Sequence, residues 1–341
     1  MAFYIILIFI QGIILFIGNN KKSRSIKNTC LFFSFFFLFF VAAFRFDVGY
    51  DYENYYNYIE KEWLWGIIRM EPLNQPIFHT AIFLKSPLFA FIIYAILTYY
   101  FIIQSFKRSS INPFLSIFIY ILLFYIESLC YMRQGLAIAI TLYAYPYIKE
   151  KKNKQLILWG GIATCFHFAA IVIFIIYFIY HYINIFKVIL FSILAIVAKS
   201  LIFASLQKLN LYSSYFDKAE IGGGSMIRLF FILLVTVLYF FKKKKNIEEK
   251  NMFAVIIFGL HLPFLFGSHL GMRVANFFFI YLCLLIPLYL KRTSSKIVFS
   301  LLFISYFTLF MYTTSISNKS QYIPYHFYWN KDNVKFRSQY L

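Results

Sequence analysis

Long runs of apolar residues constrain this chain more than any other feature of its sequence. Residues 2–17, 87–106 and 274–290, for example, contain no charged side chain. An α-helix of roughly 20 mostly apolar residues crosses the hydrocarbon core of a bilayer. Hydrophobic residues make up 62% of the chain and charged residues 13%, against about 45–50% and about 25% in soluble domains. These values exclude a soluble domain, a disordered chain and a disulfide-rich secreted scaffold, and they predict an all-α integral membrane protein.

Twelve membrane spans are predicted where the apolar runs are bounded by charged and turn residues. They cover residues 2–17, 30–44, 87–106, 112–128, 134–148, 155–166, 168–183, 187–204, 226–241, 252–267, 274–290 and 297–314. Basic residues follow the first run instead of preceding it, which is the reverse of a cleaved signal peptide. This first helix is therefore expected to stay in the membrane with its N-terminus outside.

The distribution of basic residues tests this topology, because short cytoplasmic loops are rich in Lys and Arg. With the N-terminus outside, alternate loops hold 19 of the 33 basic residues, whereas 10 of the 13 acidic residues lie on the other side. Both termini are therefore predicted to lie outside. The net charge of +20 is attributed to loops that meet anionic lipid. Membrane lipid is thus an expected partner and nucleic acid is not, because no basic stretch is long enough to form a nucleic-acid interface.

No segment between the spans is long enough to fold as a soluble domain, so residues 1–341 are predicted to form a single transmembrane domain. The largest outer segments are 45–86, 205–225 and the external C-terminal tail 315–341. Within the first of these, the run 77–84 has two interpretations. It is either a short helix lying in the outer membrane interface or a plain surface loop.

Arginines at the outer ends of helices are the main candidates for a binding site, because charge at bilayer depth is costly. Arg133, Arg228 and Arg273 each lie on or beside the first turn of a helix that enters the membrane from outside. Free backbone N–H groups and the positive end of the helix dipole lie there too. Together with Arg45, these side chains suit a pyrophosphate, whose oxygens a guanidinium binds in pairs. The alternative is that each arginine only anchors its helix at the interface.

A general base and a carbohydrate surface are expected at the same outer face. Asp47, Asp51 and His167 are the candidates to take the proton of a sugar hydroxyl. Asp51 is the first choice, because Asp47 lies two residues from Arg45 and is expected to pair with it, which would lower the pKa of Asp47. The candidate glycan ligands are Tyr52, Tyr55, Glu71 and Gln134. Structural roles remain open for these residues, since tyrosines form aromatic belts at membrane interfaces.

Other kinds of chemistry have no motif in this chain. A phosphate-binding loop of the nucleotide hydrolases is absent, and so is a His or acidic cluster with the spacing of metal ligands. The cysteines lie singly within apolar runs and are expected to pack as small hydrophobic residues; they are Cys30, Cys130, Cys165 and Cys283. Neither a metal nor an organic cofactor is therefore expected.

Several short motifs resemble those of EpsG-like membrane proteins, which belong with the Wzy-type polysaccharide polymerases. In chain order they are Arg45-Phe46-Asp47-Val48-Gly49-Tyr50-Asp51-Tyr52 with Tyr55, Glu71-Pro72, Met132-Arg133-Gln134 with Leu136-Ala137, Phe166-His167-Phe168-Ala169-Ala170, Arg273 and Ile323-Pro324-Tyr325. The chain departs from the pattern at Tyr50, where such proteins often have Thr, and at Ala169, where Ser often follows the His. Neither change removes a charged candidate.

The resemblance implies a GT-C-like membrane glycosyltransferase at the outer, periplasmic face of the bacterial inner membrane. In that scheme a growing glycan is transferred from undecaprenyl pyrophosphate onto the non-reducing sugar of a lipid-linked oligosaccharide repeat unit, as in O-antigen or capsule synthesis. The simplest expectation is inverting, metal-independent chemistry without a covalent intermediate. A chain-length-determining protein is a further candidate partner.

Two other classes of envelope protein remain as alternatives. A membrane O-acyltransferase is similar in size, but such enzymes tend to carry an Arg and His constellation in the first helix, where this chain has only Gln11 as a strongly polar residue. A flippase for lipid-linked oligosaccharides should carry charges through both leaflets, whereas Lys199 is the only charge in the middle of a predicted span. A ligase of the same pathway is a further alternative.

Overall fold

The computed structural model describes residues 2–198, 246–291, 303–304, 307–312, 321–334 and 336. The chain divides into two compact units. One comprises Met1–Ile171 with Phe310–Leu341, and the other comprises Val172–Leu309. The described parts of both units are predominantly helical.

The described helices of the first unit are α1 (Ala2–Asn20), α2 (Arg24–Ala43), α3 (Tyr52–Glu60), α4 (Leu64–Ile68), α5 (Asn74–Phe83), α6 (Pro87–Ser109), α7 (Pro113–Tyr120), α8 (Ile126–Cys130), α9 (Met132–Tyr143), α10 (Tyr145–Lys149) and α11 (Asn153–Phe166). A π-helical turn at Ile121–Tyr125 joins α7 to α8. A 3₁₀ turn at Phe168–Ile171 follows α11.

Proline positions explain several of these boundaries. Pro87 and Pro113 lie in the first turns of α6 and α7, where a missing N–H costs nothing. Asn112 caps α7, because its side chain accepts a hydrogen bond from the N–H of Leu115 at 3.1 Å, as expected of an N-cap. Pro146 lies in the first turn of α10, so the predicted span 134–148 consists of two consecutive helices.

Six described helical segments are long and apolar enough to cross a membrane, namely Ala2–Asn20, Arg24–Ala43, Pro87–Ser109, Pro113–Cys130, Ile247–Phe266 and Met272–Lys291. They confirm the prediction of a polytopic, all-α membrane protein. The predicted span 226–241, the end of 187–204 and most of 297–314 lie outside the described residues. Twelve spans with both termini outside therefore stays a prediction.

Helix α6 lies at the centre of the first unit, because it packs against α2, α5 and α9. Its side chains Phe91, Tyr94 and Tyr99 are fully buried. Helix α1 packs on α2 and α7, and α11 packs on α9. The turn before α5, the first turn of α9 and the end of α11 meet as a result, and they form the candidate site.

The segment between α3 and α6 contains two short helices with exposed apolar side chains. The run 77–84 is helical over most of its length because α5 ends at Phe83, so the plain-loop interpretation was wrong. Trp65 is 73% exposed and Phe83 is 85% exposed, as expected of side chains in contact with lipid or headgroups. The position of α5 in the membrane interface stays a prediction.

The described part of the C-terminal tail packs against the segment that follows α2. Strand β1 (Arg45–Phe46) pairs antiparallel with β2 (His326–Phe327), and Arg45 lies opposite Phe327. The Tyr325 hydroxyl donates to the Val41 carbonyl at 2.7 Å. The Tyr4 hydroxyl donates to the Tyr322 carbonyl at 2.9 Å. The tail therefore lies at the end of the unit where α1 begins and α2 ends.

The described helices of the second unit are α12 (Val172–Tyr182), α13 (Ile185–Val197), α14 (Ile247–Phe266), α15 (Met272–Phe279) and α16 (Leu282–Lys291). Pro263 lies inside α14, and a π-helical turn at Gly267–Gly271 follows this helix. A Cβ at Gly271 would lie 2.5 Å from the Leu262 carbonyl oxygen, so only glycine allows the chain to pass this closely.

Candidate functional site

An ion pair between two distant parts of the first unit forms the centre of the candidate site. Glu71 lies in the turn before α5, and Arg133 is the second residue of α9. Nη1 of Arg133 lies 2.5 Å from Oε2 of Glu71, with 24% of the arginine side chain and 18% of the glutamate side chain exposed. Most of the pair is therefore shielded from solvent, and the remaining part is accessible to it.

The Glu71 carboxylate has two further donors, which fix its orientation. Nδ2 of Asn74 donates to Oε2 at 2.9 Å, and the backbone N–H of Phe168 donates to Oε1 at 3.2 Å. The N–H of Leu73 also donates to the Cys165 carbonyl at 3.1 Å. Both carboxylate oxygens are therefore engaged, and the turn that carries Glu71 is tied to the end of α11.

The Arg133 guanidinium forms hydrogen bonds through Nε and Nη1. Nε donates to the Tyr55 hydroxyl at 3.4 Å, and the guanidinium carbon lies 5.7 Å from the centroid of the Tyr55 ring. Nη2 has no hydrogen-bond partner among the described residues. Because Arg133 also lies in the first turn of α9, the positive end of the helix dipole adds to its charge. This arrangement suits an anion.

His167 lies between two helical segments, as the two short apolar runs around it predict. Helix α11 ends at Phe166, and His167 has an extended backbone before the 3₁₀ turn begins. Its Nδ1 accepts from the N–H of Ala169 at 3.3 Å. The next residue, Phe168, donates its N–H to Glu71. The histidine is therefore part of the same local structure as the ion pair, and its role as a base stays a prediction.

Arg45 lies in a different environment from Arg133. It is only 2% exposed, and its guanidinium donates to the carbonyls of Ala42, Val48 and Leu129. The rings of Tyr52 and Phe91 lie 5.5 Å and 5.0 Å from the guanidinium carbon. These contacts make Arg45 part of the folded interior, and they do not favour its predicted contact with pyrophosphate.

The turn that contains Asp47 is held in the same buried region. Asp47 is 1% exposed and has a φ of 49°. Gly49 has a φ of +97°, and a Cβ there would lie 2.8 Å from Cys130 Cα, so glycine is required on both counts. The predicted pairing of Asp47 with Arg45 is not among the hydrogen bonds of that guanidinium, which go to backbone carbonyls.

Asp51 is the residue immediately before α3. It is partly exposed at the start of α3, and its carbonyl accepts from the N–H of Tyr55 at 3.2 Å. Side chains four residues apart share one helix face. Asp51 therefore shares a face with Tyr55, which contacts Arg133. Asp51 is thus more exposed than Asp47, and its role as the base stays a prediction.

Three of the four predicted glycan ligands are buried. Tyr52 is fully buried and its ring stacks on Phe91 with centroids 4.4 Å apart, so this face is closed to a sugar. Burial raises the pKa of Tyr52 well above its ordinary value, which keeps the phenol neutral. Gln134 is only 2% exposed. Tyr55 is 6% exposed, and its hydroxyl accepts a hydrogen bond from Nε of Arg133.

Arg273 and Arg228 are the two remaining predicted arginines. Arg273 is the second residue of α15 in the second unit and is partly exposed. Arg228 lies outside the described residues. Within the described parts of the chain, no group of three or more His, Cys, Asp or Glu side chains could hold a metal ion.

Asn74 and Tyr94 belong to the site, although sequence reasoning did not select them. Asn74 follows Glu71 by three residues. A polar residue so close to a candidate carboxylate could have been selected from the sequence. Tyr94 lies within the apolar run 87–106 and resembles a core aromatic residue in the sequence. Its hydroxyl donates to Oδ1 of Asn74 at 2.5 Å, a contact between residues of different helices.

Comparison with known proteins identifies the family. No curated protein and no solved structure matches the chain. The model of the EpsG family matches residues 28–327, which include the Glu71–Arg133 pair, the His167 break and β2. The match covers most of the chain and agrees with the motifs at Arg45, Glu71 and Arg133. The chain therefore belongs to the EpsG family, a family of Wzy-like polysaccharide polymerases.

Proposed function

We propose that this protein polymerises oligosaccharide repeat units at the outer face of the bacterial inner membrane. A growing glycan is transferred from undecaprenyl pyrophosphate onto a lipid-linked repeat unit. The observation that carries the proposal is the partly exposed Glu71–Arg133 pair, in which the arginine retains an available donor edge. Membership of the EpsG family supports the same class of reaction.

Arg133 stabilises the leaving pyrophosphate in this proposal. Negative charge grows on the phosphate oxygens as the glycosidic bond to the carrier breaks, and a pre-oriented guanidinium in a partly desolvated site stabilises that charge. Glu71 and Tyr55 hold two donors of Arg133, which leaves Nη2 to bind a phosphate oxygen. The positive charge that the sequence analysis assigns to Arg273 and Arg228 is retained as part of the proposal.

Asp51 takes the acceptor proton in this proposal. The acceptor hydroxyl oxygen forms a bond to the anomeric carbon, its proton moves to the carboxylate, and lipid pyrophosphate leaves with the electrons of the broken C–O bond. Such a single displacement inverts the anomeric configuration and needs no metal ion. His167 lies beside Phe168, which contacts Glu71, and is proposed to position the sugar.

Polymerisation by purified protein tests this function directly. The protein is reconstituted in liposomes with a synthetic lipid-linked repeat unit, and product length is measured on gels. We expect Arg133→Ala to abolish chain extension at a normal membrane level. Arg108→Ala is the matched control, because Arg108 also donates to a tyrosine hydroxyl, at 3.2 Å, and lies over a tyrosine ring. Long chains made by Arg133→Ala would refute the proposed role.

Glycan analysis of a deletion strain separates the polymerase from its alternatives. Loss of a polymerase leaves one repeat unit on the carrier, whereas loss of an O-acyltransferase leaves full ladders without the acyl group. Reporter fusions test the outward orientation. A fusion at Asn246 should report the cytoplasm and one after Ser317 the exterior, and a cytoplasmic C-terminus would overturn the twelve-span topology.

A further inference from the structure

Asn74 is a buried amide whose three hydrogen bonds fix its orientation. It has no exposed surface, and Nδ2 donates to Oε2 of Glu71 and to the Phe166 carbonyl, both at 2.9 Å. Oδ1 accepts from the Tyr94 hydroxyl at 2.5 Å. Because a backbone carbonyl and a carboxylate accept but do not donate, the NH₂ group must face them and Oδ1 must face the tyrosine.

Tyr94 is held in turn by the core of the first unit. It is 1% exposed, and its ring contacts Phe78 and Phe166 with centroid distances of 6.2 Å and 6.5 Å. A series of hydrogen bonds therefore runs from Tyr94 on α6 through Asn74 and Glu71 to Arg133. Each bond joins residues from different parts of the polypeptide or spans a turn, so the series depends on the tertiary fold.

We propose that Asn74 and Tyr94 are positioning residues that fix the Glu71 carboxylate and, through it, the orientation of Arg133. The inference rests on the proposed function, because it assigns a purpose to the direction in which the guanidinium points. Arg133 has a long side chain with several rotatable bonds, and a fork that binds phosphate must be held in place to be effective. Neither Asn74 nor Tyr94 needs to touch the substrate.

The Tyr94→Phe variant tests the first link with the least disturbance. It removes one hydroxyl and retains the ring between Phe78 and Phe166. We expect turnover to fall about tenfold, because a small displacement of a group that orients the reacting atoms is costly, at an unchanged membrane level. The matched control is Tyr99→Phe on the same helix, since Tyr99 is also 1% exposed and its hydroxyl lies 3.0 Å from Oγ of Ser128 instead. Normal turnover is expected there.

A double-mutant cycle distinguishes positioning from general support of the fold. If Tyr94 acts through Glu71, Tyr94→Phe should have little further effect on turnover once Glu71→Gln is present. Additive losses would overturn the inference, and so would equal losses in Tyr94→Phe and Tyr99→Phe. Asn74→Asp is the second variant. It places a carboxylate against Glu71 and should lower turnover more than Tyr94→Phe does.

Failure of the inference and failure of the proposed function give different results. If Arg133→Ala abolishes polymerisation while Tyr94→Phe and Asn74→Asp have normal turnover, Arg133 acts without the two positioning residues and the inference is wrong. If Arg133→Ala itself polymerises normally, the proposed function of the pair is wrong. A loss of turnover in Tyr94→Phe that depends on Glu71 supports both.

Discussion

Arg45 and Arg133 occupy two regions of the first unit that look alike in the sequence but differ in the structure. Each lies next to a predicted span and has aromatic neighbours. Arg45 is 2% exposed and donates to backbone carbonyls, whereas the Arg133 side chain is 24% exposed and faces a carboxylate. The hydrogen bonds of Arg45 go to carbonyls of the fold, whereas Nη2 of Arg133 has no partner among the described residues, and a guanidinium binds phosphate as well as carboxylate. We infer that the partner of an arginine, and not its place at a helix end, indicates its role.

Helix α3 connects the two regions. The ring centroid of Tyr52 lies 5.5 Å from the guanidinium carbon of Arg45, and the ring centroid of Tyr55 lies 5.7 Å from the guanidinium carbon of Arg133. Residues three apart on a helix lie on adjacent positions of its surface. Variants in and around α3 can therefore show whether one region serves the fold and the other serves the reaction.

The largest effect is expected from Asp51, which shares a helix face with Tyr55. Asp51→Asn removes the proposed base and should lower turnover about 10²–10⁴-fold, while lipid-linked substrate still binds. His167→Ala should have a milder effect if the histidine only positions the sugar. Turnover is measured with the synthetic repeat unit, and binding is measured separately. Near-normal turnover in Asp51→Asn together with an inactive His167→Ala would assign the base to His167.

The next largest effect is expected from Arg133→Lys, which tests whether the reaction needs a guanidinium or only a positive charge at this position. A lysine retains the charge but loses the planar guanidinium, which contacts Glu71 and is proposed to bind a phosphate at the same time. We expect Arg133→Lys to lower turnover about a hundredfold, with thermal stability close to that of the wild type. Turnover equal to the wild type would mean that charge alone is sufficient, and the orientation argument would fail.

Arg45 should show the opposite behaviour to Arg133. Arg45→Met leaves buried carbonyls of Ala42, Val48 and Leu129 without their donor, and an unsatisfied buried polar group costs about 1–3 kcal/mol. We expect the free energy of unfolding to fall by about 3 kcal/mol, with unchanged turnover per folded molecule. Unfolding in detergent and turnover are measured on the same preparation. A loss of turnover as large as that of Arg133→Lys would place Arg45 in the site and remove the contrast.

The smallest expected effect is a change in how the melting temperature depends on pH when Tyr56, which lies near the tail, is replaced. Burial raises the pKa of Tyr56 to about 12, and Tyr328 in the tail contributes to the rise. The folded state thus retains the phenol proton at a pH where the unfolded chain releases it. Its stabilising contribution is complete below pH 10 and is lost as the pH rises toward 12. Tyr56→Phe should reduce this fall in melting temperature between pH 10 and 12, and an identical pH profile would contradict the assignment.

Much of the secondary structure was predictable because its signals are local. Apolar runs bounded by charge predicted spans over residues 2–17, 87–106 and 252–267. The structure has helices at Ala2–Asn20, Pro87–Ser109 and Ile247–Phe266, and each is long enough to cross a membrane. The break at His167 was also predictable, since two short apolar runs meet there. Motifs strung along the chain indicated the EpsG family, and the family match over residues 28–327 confirmed it.

The tertiary structure decided which polar residues meet. Glu71 and Arg133 are 62 positions apart, and Asn74 lies 92 positions from Phe166, whose carbonyl it binds. Periodicity and charge report the environment of a residue along its own helix, but they carry no information about which distant helix packs against it. For that reason the sequence alone placed Arg45 and Arg133 in one group. Only the packing of α2, α6 and α9 showed that one guanidinium is enclosed by carbonyls and the other is paired with a carboxylate at the surface.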